Sequence, residues 1–226
     1  MSAKHLIIGS NSDSGAAYID LLKRQGESVY TIARSGQADS IADVTDLEQL
    51  KRAIQEAGPE LKSLAYFPGT IALKDLKSIT DEDLQSNFDV NCRGALFASQ
   101  YAAPALKAGN GSIVLISSVA AQKGFSNHSI ISMCKAALEG LTVALAKELS
   151  PHVRVNCIAP SLSDTKLANP ILGNDNVKQA LAKSHALGRL GTAQDIANSV
   201  YFMTSNQSNW ITGQVLGVDG GRSHLD

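Results

Sequence analysis

The sequence has few cysteines, few aromatic residues and little charge. Its 226 residues contain three cysteines, 5% aromatic residues and 18% charged residues, and the formal net charge is −1. Cys92, Cys134 and Cys157 are widely separated and lack the paired spacing of metal or disulfide motifs, so we expect buried, reduced thiols and no metal site. The absence of a basic cluster argues against nucleic acid and anionic membranes as partners.

Long apolar segments are also missing. No uninterrupted apolar run reaches the roughly 18 residues that cross a bilayer, and the apolar part of the N-terminal segment is too short for a signal peptide. We therefore expect a soluble, cytoplasmic protein. A hydrophobic content of 44% is enough for a sizeable core, and the length favours a single domain over residues 1–226.

Short apolar segments alternate along the chain with amphipathic segments of helical periodicity. The apolar segments predict strands at residues 5–9, 28–34, 61–69, 111–118, 153–160 and 213–221, with a further short strand just before Asp46. Helices are expected at residues 15–26, 81–107, with a kink near Pro104, and 129–150, and also after the capping residues Asp46 and Thr192. This alternation predicts an α/β fold, in which a doubly wound parallel sheet carries helices on both faces in three layers.

The turn after the first predicted strand combines glycine with small polar residues. Gly9 and Gly15 bracket this turn directly before a helix. The small polar residues between them are Ser10, Asn11, Ser12 and Ser14. Backbone N–H groups of such a turn, together with the positive end of the helix, can hold a pyrophosphate. A tight strand-to-helix turn also favours glycine for structural reasons, so both interpretations remain open here.

The residue that ends the second predicted strand bears on the choice of nucleotide. In a dinucleotide-binding fold an acidic residue there would bond the ribose hydroxyls, whereas a basic residue would accept a 2′-phosphate. Arg34 occupies this place. We interpret it as an indication of NADP(H) rather than NAD(H), with a solvated arginine at a strand end as the structural alternative.

A serine and a lysine are predicted to meet at one edge of the sheet. Ser118 ends a strand so apolar that it belongs in the centre of the sheet, and Lys135 lies in the apolar stripe of the next helix. Ligands of doubly wound sheets bind at the carboxyl ends of the strands, where both residues fall. Since burying an unpaired ammonium is costly, Lys135 either binds a ligand there or extends its amine to water.

Longer segments make the pattern specific. The segments "GSIVLISSVAA", "KAALEGLTVALAKEL", "VRVNCIAPSLSDT", "GRLGTAQDIA" and "SNWITGQVLGVDGG" follow one another in this order, and with them essentially the whole chain resembles the short-chain dehydrogenase/reductase family. The resemblance implies a Rossmann-type fold and hydride transfer between NADP(H) and the carbonyl or alcohol group of a small-molecule substrate. It also implies a homo-dimer or homo-tetramer built through the helices at residues 81–107 and 129–150.

The resemblance assigns catalytic roles to three residues. Asn91, in "FDVNCRG", would hold a proton-relay water, and Ser118 would hold the reacting oxygen of the substrate. Lys135 would bind the nicotinamide ribose.

Further positions match the family only in contacts with the cofactor. Pro160 and Thr165 match the loop around the nicotinamide and pyrophosphate, and Asp43 and Val44 match the pair that lines the adenine. Gly69 is the one residue retained from the family's Asn-Asn-Ala-Gly turn after the fourth strand.

The chain departs from the family at the catalytic centre. Family members carry a tyrosine four residues before the lysine, and here that residue is Ile131. Isoleucine cannot exchange a proton, and loss of a general acid typically costs about 10²–10⁴-fold in rate. A water, a substrate group or His128, near the start of the same helix, would have to move the proton. Tyr66, at the end of the fourth strand, is a less favoured donor.

The glycine turn departs from the family as well, because its middle glycine is replaced by Asp13. A carboxylate aimed at a pyrophosphate would repel it, so we expect this side chain to point away and to cap the following helix. The segment at residues 168–187 falls where family members place a mobile substrate lid. Two functions remain open: an oxidoreductase with an atypical proton donor, and a catalytically impaired nucleotide-binding or scaffold protein with the same fold.

Overall fold

A computed structural model describes residues 3–225, and in this part of the chain seven parallel strands form one sheet. The strand order is β3-β2-β1-β4-β5-β6-β7, so the chain starts near the centre, builds towards one edge and then crosses to the other. The strands are β1 Lys4–Ile8, β2 Val29–Ala33, β3 Ser40–Ile41, β4 Leu61–Tyr66, β5 Ser112–Ile116, β6 Arg154–Pro160 and β7 Val215–Val218. The predicted doubly wound α/β fold is confirmed.

Helices cover both faces of this sheet. Their bounds are α1 Asp13–Arg24, α2 Leu47–Glu56, α3 Asp81–Phe88, α4 Gly94–Ala108, α5 Ser129–Glu148, α6 Asn169–Leu172, α7 Asp175–Ala182 and α8 Ala193–Thr204. The buried side chains of α1 and α8 pack together on one face, and those of α2, α4 and α5 pack on the other. The central strands are buried on both faces, which explains why they contain almost no polar residue.

The predicted capping residues begin the helices that follow them. Asp46 accepts hydrogen bonds from the backbone N–H groups of Glu48 and Gln49 at the start of α2. Thr192 and Asp195 form a reciprocal capping box at the start of α8. These contacts satisfy N–H groups that have no partner within the helix.

The long helical region before β5 contains a change of helix geometry that the sequence did not predict. Residues Asp89–Arg93 form a π-helical turn between α3 and α4, and α4 continues through Pro104. The kink near Pro104 stays a prediction, because a proline inside a helix can bend it without ending it. Widened turns of this kind reorient side chains and recur at functional sites, and this turn contains Asn91.

Helix α5 is the one helix in the described residues that is long and apolar enough to cross a membrane. Its buried residues include Leu138 and Leu145, which belong to the core between the sheet and the helices. Length and composition are weak evidence in this case, because the core helix of a globular domain meets the same criteria.

A buried histidine makes the stability of the fold dependent on pH. The Nδ1 atom of His5 lies 2.7 Å from Ser63 Oγ, and Nε2 lies 3.6 Å from the carboxylate of Glu27, which pairs with Lys62. Burial lowers the pKa of His5 from 6.5 to about 4, outweighing the attraction of Glu27. The folded protein thus keeps this imidazole neutral at pH values where the unfolded chain binds a proton.

We predict that the contribution of His5 to the free energy of unfolding is fully present above pH 6.5 and is lost as the pH falls towards 4. Between pH 7 and pH 5 the loss should be about 2 kcal/mol, because the unfolded chain takes up a proton that the folded chain excludes. Urea denaturation at both pH values measures it.

The matched comparison is His5→Gln, which cannot titrate in this range. Its stability should fall by about 2 kcal/mol less than that of the unmodified protein over the same pH interval. Equal losses in the two proteins would contradict the assignment of this pH dependence to His5.

Candidate active site

The carboxyl ends of the strands border one cleft with a cavity of about 340 Å³. The loops after β1, β4, β5 and β6 and the start of α5 supply its walls. The predicted site residues that line it are Asn11, Ser12, Ser14, Gly69, Ser118, His128, Lys135, Pro160 and Thr165. Residues far apart in the sequence therefore meet here, at the sheet edge where parallel strands place their loops.

The glycine turn after β1 is closely packed. Gly9 adopts a φ of +80°, a conformation that favours glycine, and a Cβ atom at Gly15 would lie only 2.7 Å from the carbonyl oxygen of Gly9. The hydroxyl of Ser10 is buried and donates to the carbonyl of Ile32, so its side chain faces away from the cleft. Asn11, Ser12 and the start of α1 face the cleft. The turn thus directs a helix N-terminus at the cleft, as anion binding requires.

Asp13 does not cap α1, and our expectation that it would point away is wrong. Ser12 is the N-cap residue and accepts the hydrogen bond from the Gly15 N–H. The Asp13 carboxylate instead accepts a 2.6 Å hydrogen bond from the backbone N–H of Lys166, in the loop after β6, and lies 3.6 Å from the Lys166 ammonium. Because Ser12 satisfies the helix, the carboxylate is available to reach the opposite wall of the cleft.

Arg34, Asp43 and Val44, which were predicted to contact the adenine half of the nucleotide, lie beside the cavity rather than along its wall. Arg34 is exposed at the end of β2, and Val44 is buried. The pKa of Asp43 is lowered by hydrogen bonds from Thr45 and by the positive charge of Arg34. No helix separates β2 from β3 in this fully described segment, as the short loop predicts. Arg34 and Asp43 therefore lie close enough for their charges to interact.

Lys135, Asn91 and Gly69 converge at the inner end of the cleft. A Cβ atom placed on Gly69 would lie 3.3 Å from both Lys135 Nζ and Asn91 Oδ1. Lys135 donates to the carbonyl of Ile116 at 2.8 Å, and burial lowers its pKa to about 8. Gly69 therefore borders a small space between the polar ends of Lys135 and Asn91, and a larger side chain at this position would crowd that space.

The amide of Asn91 is held by the widened turn between α3 and α4. Its Nδ2 atom donates to Thr70 Oγ1 and to the carbonyl of Asn87, each at 2.8 Å. Its Oδ1 atom is buried and has no hydrogen-bond partner in the protein. A ligand hydroxyl or a water at this position would satisfy that oxygen, and an unsatisfied buried acceptor costs about 1–3 kcal/mol.

Ser118 and Ile131 both line the cleft. The Ser118 oxygen accepts the N–H of Ala120 at 3.2 Å, which leaves its hydroxyl proton to be donated to a ligand oxygen. Ile131 lies one helical turn before Lys135 and is 5% exposed. None of the described residues that line the cleft is a tyrosine. An apolar side chain thus occupies the position where the family resemblance places the proton donor.

The two alternative proton donors occupy different environments. His128 lines the cleft, and its Nδ1 lies 2.6 Å from the carbonyl of Ser126, which requires a proton on Nδ1 and leaves Nε2 to exchange one. The hydroxyl of Tyr66 donates to the carbonyl of Val90 at 2.6 Å, and burial raises its pKa well above its ordinary value. Tyr66 is 1% exposed and is therefore excluded as a donor to the cleft.

An apolar wall of the cleft was not identified from the sequence. It is formed by Val119, Phe125, Ile131, Leu167, Ile171 and Leu181. Leu167 and Ile171 are four residues apart, and this helical spacing at the predicted lid was the available signal. The lid segment contains α6 and α7, and both contribute to the wall.

The cysteines agree with the expectation of buried, reduced thiols, since all three are free and buried. Within residues 3–225 no group of three or more His, Cys, Asp or Glu side chains could hold a metal ion.

Comparison with known proteins identifies the family. A family model described as enoyl-(acyl carrier protein) reductase matches residues 12–223. A 3-oxoacyl-[acyl-carrier-protein] reductase of Chlamydia muridarum is 33% identical over 222 residues, which cover 95% of this chain and 85% of that protein. The tropinone reductase-like 3 protein of Erythroxylum coca is 32% identical over 207 residues, or 90% of this chain and 77% of its own length. The chain belongs to the short-chain dehydrogenase/reductase family of oxidoreductases.

Solved structures agree with this assignment. The aldohexose dehydrogenase of Thermoplasma acidophilum superposes with a TM-score of 0.91 at 29% identity, covering 98% of this chain and 94% of that one. The protein ElxO with NADP bound superposes with a TM-score of 0.89 at 26% identity, covering 98% and 99% of the two chains.

We predict that the Lys135 amine loses its proton near pH 8, because burial disfavours its charged form. Reductive methylation with formaldehyde requires the neutral amine, so its rate at Lys135 should rise with a midpoint near this pH. Mass spectrometry of peptides labelled at pH 6 to 11 measures it. Lys147, exposed on the same helix, is the internal control for the labelling chemistry. A midpoint at Lys135 of about 10.4, the value of a lysine in a model peptide, would contradict the prediction.

Proposed function

We propose that the protein is an NADP(H)-dependent oxidoreductase that transfers hydride to or from a carbonyl or alcohol carbon, with an atypical proton donor. The observation that carries this proposal is the single cleft that joins Ser118, Lys135 and the buried oxygen of Asn91 to a helix N-terminus. Bound NADP(H) would supply the hydride. The protein supplies positions for the cofactor, the reacting oxygen and the proton.

The residues present fit a phosphorylated dinucleotide. The glycine turn presents the N-terminus of α1, and exposed Arg34 is placed to accept a 2′-phosphate at the adenine end. Lys135 and the unsatisfied Asn91 Oδ1 offer a donor and an acceptor for ribose hydroxyls or a water. Pro160 and Thr165 line the same cleft and would contact the nicotinamide and the pyrophosphate, as the family resemblance implies. NADP bound to ElxO, a relative of the same fold, supports this choice of nucleotide.

We infer that His128 exchanges the proton. Ser118 donates its hydroxyl proton to the reacting oxygen and orients it, and His128 is a titratable side chain on the same wall of the cleft. The carbonyl of Ser126 fixes the His128 ring through Nδ1, so that Nε2 remains for proton exchange. The ammonium of Lys135 stabilises the charge that develops on that oxygen during reduction.

The apolar wall indicates the chemical class of the substrate. A polyol placed against Phe125, Leu167 and Ile171 would lose water from several hydroxyls without gaining hydrogen-bond partners, at about 1–3 kcal/mol for each. An aliphatic or aromatic ketone gains from burial on the same surface. We therefore propose a carbonyl compound with an apolar body, although some relatives carry sugar-related names.

The second candidate is a nucleotide-binding or scaffold protein without turnover. One observation favours it, namely the isoleucine at the position of the family tyrosine. The two candidates differ in whether NADPH is consumed when a carbonyl compound is present.

The outer faces of α4 and α5 support a homo-dimer or homo-tetramer. Leu96, Met133 and Val143 are 43%, 48% and 58% exposed, and the small residues of α5 around them are also exposed. Exposed apolar side chains on adjoining helices commonly mark an interface between subunits. We propose that copies of this chain associate through this face, in the cytoplasm.

We predict that the protein binds NADPH more tightly than NADH and that Arg34→Ala removes the preference. Loss of a charge-assisted contact with the 2′-phosphate should weaken NADPH binding about 10- to 100-fold and leave NADH unchanged. Nucleotide fluorescence titrations measure both affinities. Arg24→Ala, an exposed arginine at the end of α1, is the control. Failure to bind either nucleotide at millimolar concentration would sink the oxidoreductase proposal.

We predict that apolar ketones, rather than ketoses, drive NADPH oxidation. We also predict that His128→Gln lowers turnover about 10²–10⁴-fold with little change in NADPH affinity, because the substitution removes a proton donor. Ile131→Tyr should raise turnover, since a tyrosine would then lie one turn before Lys135. His152→Gln, at an exposed histidine outside the cleft, is the control.

Absorbance at 340 nm across a carbonyl panel measures this reaction. Turnover unchanged by His128→Gln would show that another group carries the proton. NADPH binding without consumption by any carbonyl, even in the Ile131→Tyr variant, would favour the non-catalytic candidate.

A further inference from the structure

Asp13 connects the two walls of the cleft through its own carboxylate. Its Oδ2 atom accepts the Lys166 N–H at 2.6 Å, and Oδ1 lies 3.6 Å from Lys166 Nζ, across 153 positions of sequence. Both residues line the cleft. The Asp13 side chain is 24% exposed, so the contact is partly shielded from water, whereas the Lys166 side chain is 85% exposed.

The surroundings of this carboxylate are those of a bound anion. Asp13 is the first residue of α1, a helix of 12 residues, so the positive end of the helix dipole lies at its backbone. The Lys166 N–H and ammonium approach from the opposite side. A helix N-terminus, a backbone N–H and a lysine are the groups that proteins use to hold phosphate oxygens. In this chain an internal carboxylate beside the helix N-terminus contacts the backbone N–H and the ammonium of Lys166.

We propose that Asp13 is an internal substitute for a phosphate of the dinucleotide, connecting the two walls of the cleft until the diphosphate displaces it. This inference rests on the proposed function, which places the diphosphate of NADP(H) at the glycine turn. On binding, the Lys166 groups exchange the Asp13 carboxylate for a phosphate oxygen, and Asp13 turns towards water. Asp13 therefore sets the affinity and the rate of release of the nucleotide.

The contact between Asp13 and Lys166 determines whether Asp13 strengthens or weakens nucleotide binding. Every diphosphate ligand must break one charge-assisted hydrogen bond and must approach a fixed negative charge, so the unmodified protein binds more weakly than a chain with a neutral residue at this position. The Lys166 backbone N–H is protected from solvent exchange in the nucleotide-free protein only while Asp13 accepts its hydrogen bond. These two consequences can be measured separately, and the second requires no nucleotide.

The test compares Asp13→Gly and Asp13→Asn with the unmodified full chain. The probes are NADPH and 2′-phospho-ADP-ribose, which keeps the diphosphate but lacks nicotinamide. Both variants should bind both probes about 10- to 100-fold more tightly. In the nucleotide-free state, hydrogen exchange at the Lys166 amide should accelerate at least about tenfold in Asp13→Gly, as expected for the loss of one hydrogen bond of this class.

Asp164→Asn is the matched control. This substitution removes a carboxylate in the same loop, two residues from Lys166. The Asp164 carboxylate pairs with Lys178 at 3.0 Å and does not contact Asp13. Neither the affinities nor the exchange at Lys166 should change. Circular dichroism melting of each variant shows that any change in affinity is not due to unfolding.

The outcomes separate this inference from the proposed function. If all proteins bind NADPH with the same affinity, the oxidoreductase proposal stands and the role of Asp13 is overturned. If none binds NADPH at 1 mM, about the weakest affinity of biological interest, the nucleotide-binding function fails and the phosphate-substitute role fails with it, even if exchange at Lys166 accelerates. Tighter binding by both variants together with faster exchange at Lys166 would support the inference.

Discussion

All seven strands of the described sheet run in the same direction, and the site depends on this constraint. Parallel pairing places the carboxyl end of every strand at one edge, so loops from β1, β4, β5 and β6 meet there although up to about 150 residues separate them. All but one of the crossovers between these parallel strands contain helices, which cover both faces and leave this edge as the place where a cleft can open. Several residues that line the cleft, such as Gly69, Ser118 and Thr165, therefore lie in the loops that follow these strands.

The sequence predicted the fold well because its signals were local and repeated. Each central strand is a short apolar run, α2 and α8 have recognisable capping residues, and the alternation of strands and helices specifies the sheet. The π-helical turn at Asp89–Arg93 was missed because, unlike a proline, it has no visible mark in the sequence. That turn depends on tertiary contacts of Asn91 with Thr70, which no local rule specifies.

Residues of the site were predicted from matches to family positions and from their place along the predicted helices. Ser118, Lys135 and His128 were placed in the cleft from spacing and resemblance, and the structure brings them together. The Asp13 contact could not be predicted, because a residue at a helix start is expected to cap the helix and because Lys166 lies 153 residues further along the chain. The identity of neighbouring residues determines local structure, but pairing across a cleft depends on how the whole sheet folds.

Two buried polar groups beside the cleft lower the stability of the folded chain. The unsatisfied oxygen of Asn91 costs about 1–3 kcal/mol, and burial of the Lys135 amine adds the desolvation that lowers its pKa. Apolar residues of similar size would remove this cost if the fold only had to present an outer surface to a partner. A hydroxylated ligand or a water that bonds both groups would offset the cost. Ile131 does not alter these two groups, so the cleft keeps a donor and an acceptor although the side chain one helical turn before Lys135 is apolar.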